Sequence, residues 1–228
     1  ENFKLQNNEL AQGIVAPQDA VNKKSLAILG EGFSLGDGIF VLSKDELENL
    51  SLSDKEKALV KPYFTSSELL QYHGLKDNKY WIIYTSSEFQ NPEKLLNYPN
   101  IKNHLDKFEK VITSDYKPYG LHRARDKKFF QGEKIISLRK CSDRPCFTYT
   151  DFNCYVSATF YVIKTEKINQ KFLTGFLNSS LCAFWLRSKG KMQGINYQID
   201  KEPLMNIPIP AVSQRLQDPV IELVNQVL

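Results

Sequence analysis

The chain has 228 residues, enough for one large domain or two small ones with a hydrophobic core. Its 42% hydrophobic and 25% charged residues match the average of globular proteins, which excludes a wholly disordered chain. No stretch approaches the roughly 18 consecutive apolar residues of a membrane span, and the polar first residues lack the apolar core of a signal peptide.

The first half of the chain mixes short strands and helices. The apolar run from Ile39 to Leu42 and the aromatic, β-branched run from Tyr80 to Tyr84 both predict strands. Between them, Ser53 and Glu56 have the spacing of a capping box, which predicts a short helix. Pro99 opens a second predicted helix. Its apolar residues recur every three or four positions, at Ile101, Leu105, Phe108 and Ile112.

The second half of the chain has strand patterns first and helical patterns after them. Four short apolar runs separated by turn residues predict an antiparallel meander, at Lys134–Leu138, Cys146–Tyr149, Cys154–Val156 and Thr159–Ile163. From Ile168 onward the apolar spacing is helical, with a new helix capped by Ser179 or Ser180. A last amphipathic helix is predicted after Pro219.

These patterns together predict an α+β fold: a mixed, mostly antiparallel sheet body with a C-terminal helical appendix. We expect the body to span residues 1–165. We expect the helical segment, residues 166–228, to pack on it as part of one functional module.

The net charge of +4 is spread unevenly. Residues 1–116 hold 13 Lys and Arg against 17 Asp and Glu, whereas residues 117–144 hold 9 against 3. A concentrated basic segment on an acidic body is typical of a surface that binds a polyanion such as nucleic acid. A solvated charged face is the alternative interpretation of the same segment.

The sequence lacks the common catalytic and metal-binding patterns. It contains no glycine-rich phosphate loop and no nucleophile elbow. The cysteines at 141, 146, 154 and 182 lack the spacing of a zinc site, so we expect no metal, and free thiols in a reducing cytoplasm. We therefore expect no catalytic residues and no cofactor in this chain.

A series of short blocks occurs in an order that resembles a known family. The blocks are Gln12-Gly13-Ile14-Val15, Gly38-Ile39-Phe40-Val41-Leu42, Val60-Lys61-Pro62-Tyr63-Phe64, Trp81-Ile82-Ile83, Tyr98-Pro99-Asn100-Ile101 with His104-Leu105, Tyr119-Gly120-Leu121-His122-Arg123, Lys134-Ile135-Ile136, Leu177-Asn178-Ser179, and Leu204 with Ile207-Pro208-Ile209-Pro210. Their order resembles the C-terminal specificity region of TaqI-type adenine-specific DNA methyltransferases and type IIG restriction-modification enzymes. One departure is that relatives often carry a tryptophan near the position of Arg123, where this chain has none.

The resemblance implies a target recognition domain that reads double-stranded DNA. In that family a catalytic methyltransferase domain precedes this domain in the same parent chain and binds S-adenosylmethionine. The family's Asn-Pro-Pro-Tyr motif and cofactor loop are absent from this sequence. We therefore expect a non-catalytic fragment of a cytoplasmic enzyme, with duplex DNA and the parent's methyltransferase domain as partners and no membrane association.

Two alternatives remain open. The chain is a DNA-cleaving domain if Asp54-Lys55-Glu56-Lys57 helps to hold magnesium, although this run is predicted to be helical. It is an interaction scaffold if it is the specificity subunit of a multi-chain restriction system. Such subunits usually carry two recognition domains, and one module is visible here.

The candidate DNA-binding residues are lysines and arginines with one tyrosine, one histidine and one glutamine, all in the two basic parts of the chain. They are Lys117, Tyr119, His122, Arg123, Arg125, Lys127, Lys128, Arg139, Lys140, Arg144, Lys189, Lys191 and Gln193. Arginine and glutamine read base edges in the major groove, whereas lysine mostly contacts phosphates.

Some candidates have more specific expectations. Arg123 and Arg125 are expected to project from an extended loop on the same side, with a salt bridge to Asp126 or Glu133 as the alternative. Arg139, Lys140 and Arg144 surround a predicted turn between strands. Lys189, Lys191 and Gln193 belong to a second predicted basic loop. The aromatic residues Trp81, Phe176, Phe184 and Trp185 are expected in the core.

Overall fold

The computed structural model describes residues 1–112 and 119–228. The strands in chain order are β1 (Asn2–Phe3), β2 (Leu10–Gln12), β3 (Val41–Ser43), β4 (Val60–Phe64), β5 (Tyr72–His73), β6 (Tyr80–Ile83), β7 (Lys134–Leu138), β8 (Lys140–Cys141), β9 (Phe147–Thr150), β10 (Tyr155–Val156), β11 (Phe160–Ile163), β12 (Lys191–Gln193), β13 (Asn196–Gln198) and β14 (Ile209–Pro210). The α-helices are α1 (Lys23–Leu29), α2 (Lys44–Asn49), α3 (Asp54–Lys57), α4 (Pro99–Asp106), α5 (Gln170–Leu177), α6 (Ser180–Lys189), α7 (Lys201–Met205) and α8 (Gln214–Val227). Short 3₁₀ helices cover Ser87–Gln90, Pro92–Asn97 and Lys127–Phe130.

The chain divides into two compact units, and each is discontinuous in sequence. Unit 1 consists of Glu1–Gly13, Thr65–Asp77 and Asp126–Leu228, and unit 2 of Ile14–Phe64 and Asn78–Arg125. The predicted boundary near residue 165 stays a prediction. Within the described ranges, no helix is long and apolar enough to cross a membrane.

Unit 1 is built on a five-stranded sheet with the order β2-β11-β7-β9-β5. β11 is antiparallel to β2 and β7, β9 is antiparallel to β7, and β5 runs parallel to β9. The strands β7, β9 and β11 are almost entirely buried, which agrees with their β-branched and aromatic composition. Unit 1 also contains two smaller sheets, β1-β14 and β12-β13-β8.

Helices α5 and α8 of unit 1 approach each other closely at Gly175. Helix α5 lies against α8, and an added Cβ at Gly175 would lie 2.7 Å from Cγ1 of Val220 and 3.2 Å from Cγ2 of Val224. Only glycine allows this close approach. The buried cluster of this unit joins α5 to the sheet through Leu173 and Ile135, among other residues.

Unit 2 contains an antiparallel sheet in which β6 lies between β3 and β4. Capping boxes start its short helices: Ser43 with Glu46 begins α2, and Ser53 with Glu56 begins α3. Helix α4 begins at Pro99 and buries Ile101 and Leu105. The buried ring of His104 lies with Nε2 2.9 Å from the carbonyl oxygen of Ile39.

The predicted α+β class with a mostly antiparallel sheet and a C-terminal helical part is confirmed. Several local predictions are also confirmed, namely the capping box at Ser53, the start of α4 and the cap at Ser179. The simple meander is wrong, because β11 returns to pair with β7.

Two further local predictions need correction. The last helix begins at Gln214 rather than after Pro219, which lies inside it. Phe184 is 68% exposed on α6 rather than in the core, because Cys182 and Leu186 take the buried face of that helix.

Candidate nucleic-acid interface

The segment around Arg123 is fixed by backbone hydrogen bonds within unit 2. The N–H of Arg123 donates to the carbonyl of Val15, and the N–H of Val15 donates to the carbonyl of Arg123, both at 3.0 Å. The N–H of Leu121 donates to the carbonyl of Thr85 at 3.1 Å. The Arg123 side chain is nevertheless exposed. The fold therefore holds the backbone rigidly and leaves the guanidinium accessible.

Arg125 departs from the extended conformation that was expected. Its φ of 67° is left-handed, a region that non-glycine residues rarely adopt. The hydroxyl of Tyr84 donates to the Arg125 carbonyl at 2.5 Å, which helps to hold this conformation. Burial, and then the nearby charge of Arg123, lower the pKa of Arg125. Arg123 and Arg125 are thus close together, as expected. The expected extended loop is wrong, however, because Arg125 has a left-handed conformation.

The acids that were considered as alternative partners are engaged elsewhere. Asp126 accepts from the N–H of Lys128 at 2.9 Å and its other oxygen lies 3.7 Å from the Lys128 Nζ. Glu133 accepts from the Tyr149 hydroxyl at 2.6 Å.

The other candidates near Arg123 have different surroundings. Tyr119 is buried, and its hydroxyl donates to Asp106 at 2.5 Å, so its ring packs inside unit 2. His122 is half-buried. Lys117 lies outside the described residues. Lys127 and Lys128 are exposed at the start of a 3₁₀ helix whose Phe129 and Phe130 are buried.

Arg139 is held by contacts within unit 1. Nη1 donates to the carbonyl of Ala158 at 3.1 Å, and Nη2 lies 3.8 Å from Oδ1 of Asp200. The guanidinium also lies over the Tyr161 ring, 5.2 Å from its centroid. These contacts hold Arg139 against the neighbouring strands, and its part in DNA binding stays a prediction.

Lys140 and Arg144 differ from Arg139 because both side chains are exposed. Lys140 lies on β8, and Arg144 lies in the connection from β8 to β9, where Asp143 adopts a φ of 68°. In the part of the chain that the structure describes, neither residue forms an ion pair. Exposed cations that form no ion pair favour an anionic ligand.

The small sheet of unit 1 joins the two basic parts of the chain. Gln198 on β13 pairs with Lys191 on β12 and with Lys140 on β8. Directly opposed residues point to the same face of a sheet, so the two lysines lie on either side of the Gln198 amide. Lys191 also lies 3.3 Å from Asp200, and its side chain remains 72% exposed. We call this face, with Lys140, Lys191, Gln193, Asn196 and Gln198, the polar face.

The remaining candidates lie on the polar face or next to it in the sequence. Lys189 is exposed at the end of α6, immediately before β12. Gln193 is exposed, and its Nε2 donates to Oε1 of Gln198 at 3.0 Å. Arg187 is used internally, since its Nε donates to the Tyr197 hydroxyl at 3.3 Å.

Sequence reasoning missed the hairpin in this region. Lys191 and Gln193 were expected in a basic loop, but they belong to β12, which pairs with β13, and Asn196 and Gln198 were not among the candidates. The signal was Gly194 between two short runs that alternate polar and apolar residues, Lys191-Met192-Gln193 and Asn196-Tyr197-Gln198. Each run has only three residues, at the lower limit of strand length, which obscured the pattern.

A magnesium site at Asp54-Lys55-Glu56-Lys57 does not fit the structure. Glu56 is fully buried, and its oxygens accept hydrogen bonds from Ser53, Asn100 and Ile101. Among the described residues, no group of three or more His, Cys, Asp or Glu side chains is arranged to hold a metal ion. The carboxylate serves a helix cap instead.

The family follows from a sequence comparison. A model described as the TaqI-like C-terminal specificity domain matches residues 61–209, which is more than half of the chain. The chain belongs to this family. The predicted role, recognition of a DNA sequence, is thereby confirmed. No curated protein matches the chain.

Two solved structures are similar to the chain. One is the type IIL restriction-modification enzyme MmeI in complex with DNA, with a TM-score of 0.67 and 11% identity over 99% of this chain. The other is the type IIG restriction endonuclease BpuSI, with a TM-score of 0.49 and 14% identity over 95% of this chain. The match spans 28% of the MmeI chain and 25% of the BpuSI chain. At this identity, the likeness to MmeI shows a shared fold.

Proposed function

We propose that the chain binds double-stranded DNA as the target recognition domain of an adenine-specific DNA methyltransferase or a type IIG restriction-modification enzyme. The observation that carries this proposal is the polar face, where Lys140 and Lys191 from separate parts of the sequence flank Gln198 on one face of a small sheet. In a specificity domain, such a face combines cations for phosphates with amides for base edges.

The proposed interface makes two kinds of contact with DNA, one with phosphates and one with bases. Exposed lysines and arginines such as Lys140, Arg144 and Lys189 neutralise phosphates, and this contribution is independent of the DNA sequence. Arg123 and Arg125 are better suited to reading a base, because the backbone on which they stand is fixed by Val15 and Tyr84. An arginine on a fixed backbone loses less conformational entropy when it pairs with a guanine than an arginine on a mobile loop.

Catalysis belongs to another part of the parent protein in this proposal. The sequence contains no Asn-Pro-Pro-Tyr motif, and we assign S-adenosylmethionine and the methyl transfer to a methyltransferase domain of the same parent chain. That domain would act on an adenine flipped out of the duplex. Free thiols at all four cysteines support a cytoplasmic location.

The test distinguishes residues that contact phosphates from residues that recognise bases. A duplex that the chain selects from a random library is compared with an unselected duplex over a range of salt concentrations. Lys140→Ala is expected to weaken both alike and to lower the slope of log affinity against log salt by about one. Arg123→Ala is expected to cost about 1–3 kcal/mol on the selected duplex and almost nothing on the other.

The matched control is Lys23→Ala, which removes the same charge at the exposed start of α1 and is expected to leave the salt slope unchanged. Circular dichroism confirms that each variant is folded. A wild-type affinity that does not change with salt would contradict the proposal. So would a Lys140→Ala slope equal to that of the control.

A further inference from the structure

The β12–β13 hairpin is narrow and ends in a tight turn. Lys191–Gln193 pairs with Asn196–Gln198 in an antiparallel register, so that Gln193 lies opposite Asn196. Only Gly194 and Ile195 connect the strands, and Gly194 has a φ of 63°, as two-residue hairpin turns require. The major groove of B-DNA is wide enough to admit a two-stranded ribbon of this kind.

The hairpin is anchored on one side and polar on the other. Met192, Tyr197 and Cys141 are paired across the three strands and face the core, where Tyr197 and Cys141 are buried. Burial of this row fixes the hairpin to unit 1. The opposite row is the polar face, so its amides and lysines are presented on a rigid support.

An exposed aliphatic residue stands at the tip. Ile195 is 69% exposed, although turn positions usually carry Gly, Asn or Asp. A single exposed apolar residue is ordinary in itself. Here, however, its neighbours are Gly194 and Asn196, and the Gln193 carboxamide lies across the turn, oriented by its hydrogen bond to Gln198. The tip thus offers an aliphatic group beside two carboxamides.

These groups match the edge of an A·T pair in the major groove. Adenine presents N7 and the N6 amino group, which pair with a Gln or Asn carboxamide, and thymine presents a C5-methyl group that favours apolar contact. The cations of the polar face complement the flanking phosphates, and Lys140 has no ion pair in the ranges that the structure describes. Charge and hydrogen-bonding groups both favour duplex DNA as the occupant.

We propose that the β12–β13 hairpin enters the major groove and reads an A·T pair, with Asn196 or Gln193 on the adenine and Ile195 against the thymine methyl. This inference rests on the proposed function and makes it more specific. It assigns to Ile195, Asn196 and the hairpin a direct part in choosing the target sequence.

The experiment removes the methyl group from the DNA and the aliphatic group from the protein. The chain first selects a duplex from a random library, and the thymines of that duplex are then replaced by deoxyuridine, which lacks only the C5-methyl. Wild-type affinity is expected to fall about fourfold for the contacted methyl. Ile195→Ala is expected to bind the thymine duplex less tightly and to show no further loss on the deoxyuridine duplex.

Two more variants complete the design. Ile28→Ala, at an exposed position of α1, is the matched control and is expected to keep the full sensitivity to deoxyuridine. Asn196→Ala is expected to relax the preference for adenine at one position of the selected sequence, because its carboxamide no longer pairs there.

Several outcomes would overturn the inference. One is the same loss of affinity on the deoxyuridine duplex in wild type and in Ile195→Ala. Another is no loss of affinity in wild type. A third is a selected sequence made only of G·C pairs. An Ile195→Ala variant that binds both duplexes like wild type would also overturn it, as expected if this residue contacts another protein domain. In all four cases duplex binding persists, whereas failure of the proposed function would leave no selected duplex at all.

Discussion

Glu56 gives the sharpest quantitative prediction about the stability of unit 2. Its carboxylate is fully buried and accepts hydrogen bonds from the N–H and hydroxyl of Ser53, from the N–H and amide of Asn100 and from the N–H of Ile101. It therefore joins the cap of α3 to the first turn of α4. Burial alone raises the pKa of this carboxyl, but the hydrogen bonds outweigh burial and lower the pKa from 4.5 to about 2.

The size of the effect follows from this shift. A difference of this size between the unfolded and folded pKa corresponds to about 3 kcal/mol of stability. Because the folded pKa is the lower one, the contribution is complete well above the unfolded pKa of 4.5 and is lost as the pH falls toward 2. Glu56→Gln keeps the shape but places an amide N–H₂ among donors. We expect it to cost about 3 kcal/mol at pH 7 and less than half of that at pH 3.

The assay is urea unfolding of wild type and variant at both pH values, followed by circular dichroism. The control is Glu48→Gln, whose carboxylate is exposed and only 3.9 Å from the Lys44 ammonium. This change is expected to stay within about 0.5 kcal/mol of wild type. A Glu56→Gln variant as stable as the control at pH 7, or a cost that is the same at pH 3 and pH 7, would refute the reasoning.

Two other substitutions test the packing of unit 1 and the support of Arg125. Gly175→Ala places a Cβ 2.7 Å from Cγ1 of Val220. Urea unfolding should show a free energy of unfolding lower than that of wild type by about 1–3 kcal/mol. Adding Val220→Ala should restore part of this loss, and a further loss would contradict the steric explanation. Tyr84→Phe removes the 2.5 Å hydrogen bond to the Arg125 carbonyl and should weaken binding to a selected duplex about 2–10-fold. Binding to random DNA should not change. Tyr80→Phe, at the start of β6, which ends just before Tyr84, is the control. Equal losses on both duplexes would argue against a role of Tyr84 in base recognition.

The sequence predicts those features of the fold that local interactions decide. The Ser53–Glu56 cap and the start of α4 at Pro99 depend on residues only a few positions apart. The return of β11 to β7 depends on contacts far apart in the chain, and no local pattern encodes it. Pro219 lies inside α8 because packing against α5 compensates for the hydrogen bond that a proline cannot donate.

In the candidate interface, too, the sequence identifies some residues, but their arrangement depends on contacts between distant parts of the chain. The charge pattern identified Lys140 and Lys191, but their approach across β13 depends on tertiary structure. Arg139 belonged to the same basic cluster, yet the fold uses it against Asp200 and Tyr161. Composition cannot separate the cations that support the fold from those that remain accessible, because their partners lie elsewhere in the chain.

The most direct test of the central claim, that this domain reads DNA sequence, is a selection from a random duplex library by the purified chain without S-adenosylmethionine. The account predicts that successive rounds converge on one short sequence that contains at least one A·T pair. It also predicts that a single base-pair change in that sequence costs about 1–3 kcal/mol of binding free energy. A bound pool that stays as diverse as the starting library, at any salt concentration, would contradict the account.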